Sequence, residues 1–315
     1  MYDTISLYLP AEKATGIDLI AEMPVYLSDL KENFNHASGI VTVSGKCDNF
    51  HVTASIKGIF LNGSLPKYHF GQNQSTLNLQ STKNAIAKLS QALNLPLSEA
   101  FVYRIDFAEN YIMSHPVASY FESLGESRYY KRLDQGSSLY YNSGRRQIVF
   151  YDKVKEQSAK NYDIASKFAG QNVLRYEYRL KKRVADQMNC PEVRASDLHD
   201  PVFYKQLLLR YHKEYSAIHK LSPLCFNSLV MGDVRALRSQ LSLYGIQALG
   251  GEKAVLEMLD SANRRNEFSS TMQYNRSKKM VKEVCQMPLL AKKSELIQEL
   301  DMKINNHIQE EISSL

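Results

Sequence analysis

Apolar and polar positions alternate with a period of two in three stretches of the chain, which predicts strands whose two faces differ in chemistry. Over residues 101–108, Tyr103, Ile105 and Phe107 fall on one side and Arg104 and Asp106 on the other. Over residues 173–181, Leu174, Tyr176, Tyr178 and Leu180 fall together, opposite Arg175, Glu177, Arg179 and Lys181. Between them, residues 139–153 read as a β-hairpin. Two β-prone runs flank Asn142-Ser143-Gly144-Arg145, a composition that admits φ > 0 at the turn. Its second strand sends Ile148 and Phe150 one way and Gln147, Val149, Tyr151 and Lys153 the other.

The remaining elements follow from the same patterns. Residues 2–70 are mostly strand, with alternation at Ile5, Leu7 and Leu9 and β-rich runs at 40–43 and 50–61. Residues 62–73, with Gly63, Pro66 and Gly71, predict a shaped loop carrying Lys67, His69 and Asn73. Ser81 or Thr82 caps a helix with Ile86, Leu89 and Leu93 at helical spacing, ended by Pro96. Pro116 opens another, with a stripe at Val117, Tyr120, Phe121 and Leu124 and Gly125 to close it. A polar connection spans 155–171. Asp200-Pro201 then begins a helical region, with helices at about 201–221, 233–244, 252–265, 271–286 and 292–312, broken at Gly250-Gly251 and Pro288. The expected fold is α+β: a mixed, largely antiparallel sheet with helices packed on one face, followed by an all-helical C-terminal part. The domain boundary falls near Asp200, giving units 1–199 and 200–315.

With 315 residues, 44% of them hydrophobic, the chain can bury a substantial core. Its net charge of +6 is distributed unevenly, because the first hundred positions contain no arginine. That asymmetry points to an anionic partner, nucleic acid first, although a solvated surface produces similar imbalances. Cys47, Cys190, Cys225 and Cys285 lack the paired spacing of a zinc site and fit reduced thiols. The first residues alternate like a strand, with no basic start and apolar run, and no segment approaches membrane-spanning length. The expectation is a soluble, cytoplasmic protein with no membrane partner.

If the polar strand faces align, Arg104, Asp106, Tyr151, Lys153, Arg175, Glu177 and Arg179 share one surface. Two carboxylates suit Mg²⁺ or Mn²⁺, and arginines suit a phosphate. A tyrosine beside them can attack phosphorus, provided that a cation such as Lys153 or the metal helps supply the phenolate from a group of ordinary pKa near 10. Plainer readings stand beside these. A tyrosine with a bonded hydroxyl is commonly a packing residue, and carboxylates next to arginines commonly form structural ion pairs.

Four short elements occur in a telling order: Gly63-Ser64-x-x-Lys67 with Gly71-x-Asn73; Arg104-Ile105-Asp106; Tyr141-Asn142 through Arg145-Arg146 to Phe150-Tyr151-Asp152-Lys153; and Arg175-Tyr176-Glu177-x-Arg179. Together they cover about residues 1–190, and the pattern resembles the gene II/X-type rolling-circle replication initiators of filamentous phages and related plasmids. The resemblance implies a DNA-nicking and strand-transferring endonuclease in which the tyrosine of the Tyr-x-Lys element, here Tyr151, becomes joined to the 5′ phosphate, assisted by Lys153. It implies Asp106 and Glu177 as metal residues, with His69 as a third candidate, and Lys67, Asn73, Arg104, Arg145, Arg146, Arg175 and Arg179 as DNA- or phosphate-binding residues. None of the eight histidines forms a His-x-His pair, so the histidine metal cluster of the broader nickase superfamily is missing. Tyr162, in the polar connection, is the reserve nucleophile. The implied partners are origin DNA, single-stranded or supercoiled duplex, and a host helicase and polymerase, with residues 200–315 recognising DNA or serving as an accessory domain. The alternatives are a non-enzymatic DNA-binding replication regulator and a metal nuclease that uses water.

Overall fold

The computed structural model describes residues 1–72, 74–221, 232–287 and 294–315. Twelve strands are named along the chain: β1 (Tyr2–Pro10), β2 (Ser28–Asn35), β3 (Ile40–Cys47), β4 (Phe50–Ser55), β5 (Gly58–Ser64), β6 (Phe101–Met113), β7 (Leu124–Ser127), β8 (Lys131–Asp134), β9 (Ser138–Asn142), β10 (Arg146–Asp152), β11 (Asn172–Leu180) and β12 (Ile218–Lys220). The helices are α1 (Leu19–Glu22), α2 (Leu65–Phe70), α3 (Leu79–Leu93), α4 (Val117–Glu122), α5 (Lys153–Ala159), α6 (Val184–Met188), α7 (Pro201–Ser216), α8 (Val234–Ala248), α9 (Glu252–Arg264), α10 (Thr271–Cys285) and α11 (Glu295–Ser313). Contacts divide the chain into one compact unit of Met1–Leu221 with Gln298–Leu315, and a second of Ser222–Ile297.

The first unit is organised by a ten-stranded sheet in the order β2-β3-β4-β5-β1-β6-β11-β10-β9-β8, and β12 pairs with β7 in a small second sheet. Every named pair is antiparallel. The alternation read from sequence sets the faces of the central strands. Ile105, Phe107, Ile148, Phe150, Leu174, Tyr176, Tyr178 and Leu180 are buried. Phe150 stacks on Tyr176 with centroids 4.7 Å apart, and Tyr176 stacks in turn on Tyr211 of α7 at 4.0 Å. The buried phenols find partners, as Tyr176 Oη donates to the Tyr211 carbonyl at 2.8 Å. From Gln298 on, the C-terminal helix belongs to the same unit: Asp301 accepts from Tyr215 Oη at 2.6 Å, and Glu299 accepts from the Ser114 amide at 2.9 Å.

The boundary expected near Asp200 therefore falls inside this unit. Asp200 does cap α7, accepting from the Phe203 amide at 2.8 Å, but α7 packs against the sheet. The second unit has its own small core, in which Leu243 and Ile246 of α8 meet Val281 and Val284 of α10, with Val255, Leu256 and Leu259 of α9 against them.

The local structure departs from the sequence pattern in several places. The loop expected over 62–73 is the end of β5 followed by α2: Ser64 caps the helix, Pro66 sits in its first turn, and Gly71 closes it at φ 77°. Gly125 does not end a helix. It lies in β7, where a Cβ would come within 2.9 Å of the Leu221 side chain, so the glycine permits close packing. The β9–β10 hairpin closes through Ser143, whose amide donates to the Arg146 carbonyl at 2.9 Å, and Gly144 is not among the residues of positive φ. Tyr103, assigned by parity to the apolar face, is half exposed, because the β1–β6 register shifts between Ser6 and Leu7. Asn73, Cys225 and Pro288 lie outside the described residues, and Cys47, Cys190 and Cys285 are free thiols.

Candidate functional site

β10, β11 and β6 lie side by side at the middle of the sheet, and their register aligns the polar positions. Tyr151 faces Arg175, Arg175 faces Asn110, and Arg179 faces Asp106. The Tyr151 hydroxyl reaches diagonally and donates to Glu177 Oε1 at 2.7 Å. Arg175 Nε donates to the same oxygen at 2.8 Å, while its Nη2 donates to Asp3 Oδ2 at 2.6 Å and its Nη1 to Asn110 Oδ1 at 3.0 Å. The other Glu177 oxygen accepts from Arg179 Nε at 2.8 Å and also from its Nη2. Asp106 is held by Arg104 through a two-point contact of 2.8 and 2.7 Å. Arg175, Asp106 and Glu177 are 1%, 3% and 3% exposed, so each of these charges depends on its partners. Three guanidinium groups meet three carboxylates, counting Asp3.

The network sets the protonation states. Burial pushes the Tyr151 phenol well above its usual value, and Glu177 adds to that, opposed by Arg175. Burial alone would raise Glu177 too, but Arg179 and Arg175 outweigh it and hold the carboxyl well below its ordinary range. At Asp106 the balance reverses: burial outweighs Arg104 and Arg179, and the group is pushed up to about 6. The resting site is a neutral phenol donating to an ionised carboxylate. Tyr151 also forms part of the wall of a cleft of about 400 Å³, together with Tyr140, Lys155, Glu156, Lys160 and Arg179.

Residues 1–218 match the family model that describes the N-terminal part of the gene II-type replication-associated protein. The chain belongs to this family, the gene II-type rolling-circle replication initiators. No curated protein matches it.

In this initiator the residues expected to hold a metal do not fit a divalent ion as they stand. All four oxygens of Asp106 and Glu177 accept hydrogen bonds from guanidinium groups or the phenol, and three adjacent arginines repel a cation. Among the described residues, no group of three or more His, Cys, Asp or Glu side chains could hold a metal. His69 lies near the end of α2, edge-on to Phe70, and does not join the two acids in such a group.

Other expected residues of the initiator occupy different places. Lys153 is not a strand residue; it opens α5 behind the Asp152 cap, is buried, bonds Glu156 at 2.9 Å, and lies 5.9 Å from the Tyr151 ring centroid. The cation that opposes the upward shift of the Tyr151 phenol is Arg175. Lys67 donates to the Tyr162 hydroxyl at 3.2 Å and so clasps α2 to the connection after α5. Arg145 and Arg146 line a groove of about 1050 Å³ with Arg210 and Lys213 of α7, and Arg146 pairs with Glu214. They stand at the hairpin turn, and Arg146 shares the parity of Ile148 and Phe150, away from Tyr151.

Asp3 and Asn110 escape the sequence pattern. A register shift between Tyr2 and Ile5 brings Asp3 to the polar face, where Ser64 Oγ donates to it at 2.8 Å. Asn110 lies beyond the predicted end of its strand, since β6 continues to Met113. The alternating apolar positions Tyr111 and Met113 carried a signal for that extension. No helix of the described residues is long and apolar enough to cross a membrane.

Proposed function

We propose that this initiator cuts one strand of origin DNA by attack of the Tyr151 hydroxyl on a backbone phosphorus. A bond forms between the phenolic oxygen and phosphorus, and the bond from phosphorus to the 3′ oxygen breaks. The phenolic proton passes to Glu177, and the departing 3′ oxygen takes a proton from water. The 5′ phosphate remains on Tyr151, conserving the energy of the phosphodiester, and the 3′ hydroxyl is left for a host polymerase acting with a helicase. In the second half, a 3′ hydroxyl attacks the phosphotyrosine and gives its proton back to the solvent, the bond from phosphorus to the phenolic oxygen breaks, the phenol recovers its proton from Glu177, and the strand is rejoined.

The observation that carries this reading is the 2.7 Å hydrogen bond from Tyr151 to Glu177 at the wall of a cleft that also presents Lys155, Lys160 and Arg179. The acceptor is already placed for proton transfer, and the cations suit a phosphate entering the cleft. Arg175 and Arg179 orient the Glu177 carboxylate toward the phenol. By stabilising the anion they also make it a weak base, so the proton moves to it only as the oxygen–phosphorus bond forms and the phenol becomes acidic. The helical unit Ser222–Ile297, with Arg276, Lys279 and Lys282 on α10, is the natural source of contacts that choose the origin.

The test is incubation with supercoiled origin DNA, or a labelled single-stranded oligonucleotide from the origin, in Mg²⁺ buffer, followed by denaturation. Wild type leaves a protein–DNA adduct attached at Tyr151, whereas Tyr151→Phe binds DNA and leaves none. Cleavage by Tyr151→Phe at the wild-type rate would instead identify a nuclease that uses water. Binding without any cleavage would identify a regulator.

A further inference from the structure

Three aromatic rings lie together on the face of the sheet that carries the tyrosine–arginine network. Phe60 of β5 faces Tyr8 of β1, Asn62 faces Ser6, and Ser6 faces Arg104 of β6. The register shift after Ser6 brings Tyr103 onto the same side, its ring 5.9 Å from Tyr8 and 6.4 Å from Phe60. Tyr103 is 50% exposed and Phe60 40%. Large rings on an open sheet face leave apolar surface in water that packing alone would have buried.

We propose that Tyr8, Phe60 and Tyr103 form a stacking platform for unpaired bases of a single DNA strand that runs across this face toward Tyr151. The proposal rests on the nicking reading for the direction of the strand, but not for the existence of the platform. Three observations point to a single strand as the occupant. First, cations flank the rings along the sheet: Arg104 and Arg179 lie on the Tyr151 side, and the register from β5 through β4 and β3 puts Lys46 and Lys31 on the other. Arg104, Arg179 and Lys46 are ion-paired at rest with Asp106, Glu177 and Asp29. A backbone crossing the face would share them with these carboxylates before and after the rings, in the pattern of basic residues interleaved with aromatics that holds single strands. Second, the bases of a duplex are stacked on one another, so a ring on a sheet surface can stack only on bases that are unpaired. Third, the same face leads to the cleft of about 400 Å³ that Tyr151 lines, where the strand would be cut.

The spacing fits this path. Tyr103 lies seven residues along β6 from Asn110, which is in register with Arg175 and through it with Tyr151. At about 3.3 Å per residue and about 4.8 Å per strand, Tyr103, the near edge of the platform, is roughly 25 Å from the tyrosine. An extended single strand covers that distance with a few nucleotides, so the platform would read or grip bases close to the cut without touching the reacting phosphate.

The experiment uses the full chain carrying Tyr151→Phe, so that no covalent product contributes. Fluorescence anisotropy measures binding to a labelled oligothymidylate of about 20 nucleotides and to a mixed-sequence duplex of the same length. Phe60→Ala and Tyr103→Ala are each expected to weaken oligothymidylate binding about tenfold, with the salt dependence unchanged and duplex binding unaffected. Phe60→Leu and Tyr103→Leu, which keep apolar bulk and suit a strand but lack a ring, should lose as much as the alanine variants, while Tyr103→Phe should bind as the parent does. Leucine or alanine variants that bind oligothymidylate within twofold of the parent overturn the platform, whatever the adduct assay gives. Weakened binding by those variants in a protein whose wild-type form never yields an adduct supports the platform and removes the nicking reading alone.

Discussion

Tyr151 stands opposite Arg175 in the β10–β11 ladder, yet its hydroxyl donates to Glu177, 2.7 Å away on the diagonal, and Arg175 donates to the same carboxylate oxygen. The phenol and the guanidinium thus share one acceptor atom. Tyr151→Phe removes one hydrogen bond from a partly exposed side chain and should cost only about 1 kcal/mol of stability while abolishing the adduct. Urea denaturation beside the adduct assay measures both, and a gross loss of stability would make the hydroxyl structural instead.

Glu177 should behave in the opposite way. Glu177→Gln leaves the buried Arg175 and the partly buried Arg179 without their shared anion, at a cost of roughly 3–5 kcal/mol, and it removes the proposed proton acceptor. The urea midpoint should fall markedly and the adduct should be lost. A variant as stable as wild type would show that the arginines do not depend on this carboxylate.

Acidity offers a third test, centred on Asp106. Its folded pKa of about 6 lies above the ordinary 3.8, so the protonated form is favoured by folding. The stability it contributes is complete below about pH 4 and is lost as pH rises through about 6. Glu177, lowered in the folded state, has the opposite sign, and its contribution disappears only as pH falls below the ordinary carboxylate range. Between pH 4 and pH 7, wild type should therefore lose up to roughly 3 kcal/mol relative to Asp106→Asn. Thermal melts of the two proteins across that range check it, and parallel curves would mean that Asp106 is ionised throughout.

Divalent ions give a fourth. With every oxygen of Asp106 and Glu177 accepting from a guanidinium or the phenol, the protein without DNA should not take up Mn²⁺ at these residues. Electron paramagnetic resonance of added Mn²⁺ should show the same free signal with wild type and with Asp106→Asn. Tight uptake by wild type that Asp106→Asn abolishes would show that the arginines yield readily to a metal.

The polar face was legible in the sequence where strands are regular. Strict alternation placed Asp106, Tyr151, Arg175, Glu177 and Arg179 on one surface, and the four short motifs gave their order. It misled where the ladder slips. One register shift brought Asp3 into the network and another turned Tyr103 outward, and neither has a glycine or proline to mark it. Lys153 departs from its predicted strand because Asp152 can end a strand and cap a helix at once, a choice settled by the Lys155 amide that it accepts. Strand order was beyond reach as well, since no local pattern records which edges will meet.

That order governs how the protein is made. β11 leaves the ribosome after β6, β9 and β10, yet it lies between β6 and β10, so β6 can pair with β1 and β10 with β9, but the two halves cannot join until about residue 180 has been synthesised. Until then two strand edges stand open and Arg175 has not arrived to satisfy Asp3. Assembly of the central sheet must wait for its last strand, a late, long-range closure of the kind that slows folding.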